Sequence, residues 1–139
     1  MNPSSLVSVI TSSLLTQWLI GRRERSQILF SKIADQIREL EKVTGYLAEE
    51  VTGHGNLDAK ADEIRDRFAS LDTMCGTFRR YPTVLQSIRD FKQSASWLYS
   101  RKRKDVFETA DEYKNAPSDV VDKHKKLLAA CDNVLGRKV

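Results

Sequence analysis

The chain has 139 residues, 40% apolar and 30% charged, with six Gly and three Pro. That length holds one domain with a single core; the balance of charge and apolar residues excludes a disordered chain, and the scarcity of Gly and Pro argues against the many turns of a β fold. Net charge is +4 with two Cys and two His, which excludes a disulfide scaffold and leaves anionic lipid, an acidic protein or nucleic acid as partners for the basic excess.

Residues 4–21 carry no charge, and Arg22, Arg23, Glu24 and Arg25 follow at once. A helix that spans a bilayer needs about 20 apolar residues. This run is close in length but is interrupted by Ser8, Thr11, Ser12, Ser13, Thr16 and Gln17. Hydroxyl side chains are tolerated there because they bond back to the carbonyl one turn earlier. Arginines on one flank only fit a cytoplasmic end, and Trp18 stands one turn before them, at interface depth. Ser8, Ser12 and Thr16 form a small-residue ridge of the kind that lets membrane helices approach closely. A cleaved signal peptide has the opposite charge order. The expectation is an uncleaved single-pass anchor at residues 1–21, N-terminus outside, with residues 22–139 a cytoplasmic helical bundle. An interfacial helix and a plain first bundle helix are the alternatives.

Further on, Phe30, Ile33, Ile37, Leu40, Thr44, Leu47 and Val51 alternate three and four apart, the seam of a coiled coil or bundle helix. No Gly or Pro separates this stretch from the uncharged run, so one helix is predicted from about Ser4 to about Val51. Gly53-His54-Gly55-Asn56 breaks it; His54 reads as a solvated loop residue and Asn56 as an N-cap. A second helix, about Leu57 to Arg80, shows the stripe Ala61, Ile64, Phe68, Leu71, Cys75 and Phe78. Its early acids and its closing Arg79 and Arg80 suit the helix dipole.

Pro82 suits the first residue of a third helix, with Leu85 or Val84, Ile88, Phe91, Ala95 and Leu98 inward. That helix is expected to continue, long or kinked, through Arg101, Lys102, Arg103 and Lys104 to about Lys114. Asn115-Ala116-Pro117 reads as the last breaker. Ser118 then caps a fourth helix carrying Val120, His124, Leu127, Cys131 and Val134, and Gly136 ends it. Cys75 and Cys131 read as core thiols, and His124 as a partly buried, hydrogen-bonded ring.

The fold class is therefore all-α: a long N-terminal helix, partly transmembrane or interfacial, continuing into an up-down antiparallel bundle of about four helices. That arrangement brings three basic clusters to one end: Arg22, Arg23 and Arg25; Arg79 and Arg80; Arg137 and Lys138. Beside a membrane they would form a collar for anionic headgroups. Helix C-termini favour cations anyway, which accounts for the second and third clusters but not the first. Arg101, Lys102, Arg103 and Lys104 fall at the far end, exposed, as a candidate partner-binding run. Trp97, Tyr99 and Phe107 lie near them, the aromatics that nucleic-acid binding uses, although nucleic acid is the weaker of the partner readings.

No Gly-rich phosphate loop, HExxH, nucleophile elbow or acid–histidine pair stands in the chain. No enzyme, cofactor or metal site is expected. The expected function is a membrane-anchored scaffold or interaction protein, a homo-oligomer self-associating through its Ser/Thr ridge and heptad seam, on anionic lipid and with protein partners. Two alternatives stay open: a soluble basic helical protein binding nucleic acid or an acidic partner, and a membrane-active toxin or its immunity component.

Overall fold

The computed structural model describes residues 31–104 and 110–136, with side chains from Lys114 onward in the second stretch. All regular structure among the described residues is helical: α1 (residues 31–52), α2 (Ala61–Thr77), α3 (Pro82–Lys104) and α4 (Ala110–Leu135). By its contacts the chain divides into two units, residues 1–36 and 37–139. Of the first, only residues 31–36 are described, and they are helical. The second contains the core.

Within that second unit the α1 seam is buried. Ile37, Leu40, Thr44, Leu47 and Val51 are fully excluded from solvent. Thr44 is tolerated because its hydroxyl donates to the Leu40 carbonyl (2.9 Å), which satisfies that buried hydroxyl. From Ile37 to Val51, the seam expected to join copies of the chain is thus occupied by the chain's own helices. Connections of a few residues bring those apolar faces together at a smaller entropic cost than association with a second molecule.

The turn after α1 is tight. Gly53 N–H bonds the Glu49 carbonyl (3.0 Å). Asn56 does act as a cap, its Oδ1 accepting the N–H groups of Asp58 (3.0 Å) and Ala59 (3.3 Å), but it caps the turn at residues 57–60, and α2 proper begins at Ala61. Ile64, Leu71 and Phe78 are buried, while Phe68 and Cys75 are half-buried. In α3 the inward set is Val84, Ile88, Phe91, Ala95 and Leu98.

The predicted break at Asn115-Ala116-Pro117 does not occur; α4 runs through Pro117. Proline withdraws the N–H that would bond the Tyr113 carbonyl, a local cost of about 3 kcal/mol. Contacts with α3 immediately beyond it hold the segment in line: Ser94 Oγ donates to Asp119 Oδ2 (2.5 Å), and the Phe91 and His124 rings lie 5.5 Å apart. Gly136, at φ 71°, ends the helix in the left-handed region that favours glycine.

Rising numbers on one helix meet falling numbers on the next, so successive helices pack antiparallel. Tyr46 lies under Arg67 (5.2 Å) while Glu50 meets Lys60 (2.9 Å). Phe68 faces Tyr99 (6.0 Å) while Asp72 pairs with Lys92. Phe91 and Ser94 meet His124 and Asp119 in the same sense. Among the described residues no helix is long and apolar enough to cross a membrane. The anchor predicted at residues 1–21 lies outside the described residues.

Candidate functional site

The Arg101–Lys104 run ends α3, where the macrodipole favours cations. Three of its four members are engaged within the chain. Arg101 lies over the Trp97 ring, 4.7 Å from its centroid. Lys102 Nζ donates to the Gly53 carbonyl (2.9 Å), tying the end of α3 to the turn after α1, and burial pushes its pKa below the ordinary lysine value. Arg103 Nε donates to Asp58 (3.0 Å) and its guanidinium stacks over Tyr99 (5.5 Å). Arg101 and Lys102 are half-buried, and Arg103 and Lys104 exposed. The run expected to stand free at the far end is therefore largely a fastening between α3 and the α1–α2 turn.

Trp97 and Tyr99 flank the buried Leu98, and both rings are half-buried. Trp97 stands between two hollows. One, of about 410 Å³, lies between α3 and α4. Asp90, Gln93, Ser94 and Trp97 line it from α3, and Asn115, Ala116, Asp119 and Lys123 from α4. Asp90 accepts from Gln86 Nε2 (2.9 Å). With two carboxylates against one ammonium, this hollow is acidic. The second, of about 570 Å³, is lined by Gln93, Ser96, Trp97, Ser100, Arg101 and Lys104. It is basic. Sequence reasoning placed Trp97 near the basic run but missed Asp90, Ser94, Asp119 and Lys123. The available signal was the spacing of Asp90, Trp97 and Lys104, seven residues apart on the side of α3 away from its core stripe.

At the opposite end of α3, Arg79 and Arg80 are exposed in the turn that precedes it. A smaller hollow of about 250 Å³ joins Arg80, Tyr81 and Pro82 to Ala130, Asn133 and Val134 on α4. The second predicted cluster thus meets the last turns of α4. Its expected companions Arg22, Arg23, Arg25, Arg137 and Lys138 lie outside the described residues, as do Ser8, Ser12, Thr16 and Trp18.

His124 is half-buried against Phe91, as expected, and its Nε2 is sealed from solvent with no hydrogen-bond partner. Burial lowers its pKa, partly offset by the Glu41 carboxylate. Among the described residues no three His, Cys, Asp or Glu side chains converge in a way that could hold a metal ion. Comparison with protein-family models, curated proteins and solved structures found no match for this chain.

Proposed function

We propose that this chain is a non-catalytic helical-bundle interaction module held at a membrane, part of one long N-terminal helix inserting through residues 4–21 with the bundle on the cytoplasmic side. It works through contacts with protein partners and with copies of itself. The observation that carries the reading is the disposition of its cations. Arg101, Lys102 and Arg103 are engaged within the chain, on Trp97, Gly53 and Asp58. Arg79 and Arg80 are exposed, at the end of the bundle where the chain enters it at Ile37. An uncharged run closing on Arg22, Arg23 and Arg25 precedes that entry in sequence, which is the order a lipid-headgroup collar requires.

Membrane fractionation followed by carbonate extraction tests the anchor: the full chain should stay in the pellet, and its release would sink the reading. For the collar, flotation with vesicles containing anionic lipid should weaken in the Arg79→Gln/Arg80→Gln double variant and with added salt. Equal flotation of variant and parent would remove those two residues from the collar.

A further inference from the structure

The heptad seam of α1 lies inside the bundle, so self-association through the described residues needs another surface. α3 carries one. On the side away from its core stripe, Asp90, Gln93, Trp97, Arg101 and Lys104 follow one another at spacings of three, four, four and three, the seam spacing of paired helices. The charges are arranged about Trp97. Seven residues before it stands Asp90, and seven after it Lys104. Four residues before it stands Gln93, and four after it Arg101.

We propose that this face is a homodimer interface in which α3 of one copy crosses α3 of a second copy antiparallel, with the two Trp97 rings at the dyad. In that register Asp90 of each copy meets Lys104 of the other, and Arg101 of each meets Gln93 and the acidic hollow of the other, where Asp119 lies. A two-fold interface must be self-complementary, every contact appearing twice with the roles exchanged. An acidic hollow and a basic hollow sharing Trp97 and Gln93 meet that requirement. Aromatic and arginine side chains at the centre are the residue types that dominate such interfaces. Arg101, which covers the indole in the single chain, moves from its own Trp97 to the partner's carboxylates. The Asp90-to-Lys104 span is about 21 Å, a small contact area, so the dimer is weak in dilute solution and gains from any tether that raises local concentration. This inference deepens the self-association of the proposed function and places it on a surface separate from the Ser/Thr ridge.

The test uses the full chain in mild detergent, with a photoreactive benzoylphenylalanine replacing Gln93 and, in a second preparation, Ser12. One variant reverses the acids (Asp90→Lys/Asp119→Lys) and another reverses the bases (Arg101→Glu/Lys104→Glu), each checked for helical content by circular dichroism. The parent should give a dimer band from position 93 that fades in high salt. Each reversed variant alone should lose about tenfold of that band, while the equal mixture of the two should recover it, because their charges are then complementary. No dimer band from position 93 in the parent, or a mixture no better than either variant alone, overturns the proposal. The Ser12 probe separates the two surfaces. Dimers crosslinked at 12 and absent at 93 overturn the α3 interface while leaving the proposed function standing, and absence at both removes self-association altogether.

Discussion

His124 lies against Phe91 with its Nε2 shut away from water, a setting that penalises the imidazolium. Its folded pKa is therefore below the unfolded value of about 6.5. As pH falls below that value the unfolded chain takes up the proton first, so the stability contributed by neutral His124 is present above about 6.5 and is lost towards the folded pKa. Urea midpoints should drop between pH 7.5 and 5, and His124→Leu should flatten that limb; identical pH profiles for parent and variant would assign the drop to other groups. Gly53 presents a steric case. A Cβ there would stand 2.9 Å from the Glu49 carbonyl oxygen, backbone that cannot swing aside. Gly53→Ala should cost about 1–2 kcal/mol, seen as a lower Tm by circular dichroism, with the strain falling on the turn that Lys102 holds.

At the scale of elements, α4 is where local rules and packing disagree. Pro117 sits inside the helix, and Pro117→Ala restores the N–H that Tyr113 lacks. The variant should gain about 1–3 kcal/mol of stability, read as a higher urea midpoint at unchanged m; an unchanged midpoint would show that the freed carbonyl is already satisfied elsewhere. The same residue shows why the sequence was readable in some places and not in others. Leu40, Leu47, Ile64, Ile88 and Leu127 repeat with the helical period on single elements, and all are buried as that period implies. Pro117 obeys the opposite local signal, and the contacts with α3 just beyond it, at Asp119 and His124, reverse it. The hollow at Trp97 was hidden for a different reason. Asp119 and Lys123 come to it from another helix, and no pattern within one segment pairs them with Asp90 and Ser94.

For the molecule as a whole, the basic run at the end of α3 changes meaning once its contacts are seen. Arg103 and Lys102 reach back to Asp58 and Gly53, closing the turn between α1 and α2 from outside. A cation that links segments 49 residues apart in the chain belongs to the fold before it belongs to any partner. Lys102 and its neighbour Lys104 consequently differ in chemical reactivity, although they are the same residue type two positions apart. Lys104 is exposed, whereas the Lys102 amine is half-buried and engaged with a carbonyl. With a dilute amine-acylating reagent, read residue by residue by peptide mass spectrometry, Lys104 should modify quickly. Lys102 should lag and catch up on addition of urea below the global midpoint, while α3 remains helical. Equal rates for both amines in the native chain would mean that the fastening is not held in solution. The lag is thus an internal clock for how often this end of the bundle comes undone, recorded covalently on the chain's own amines.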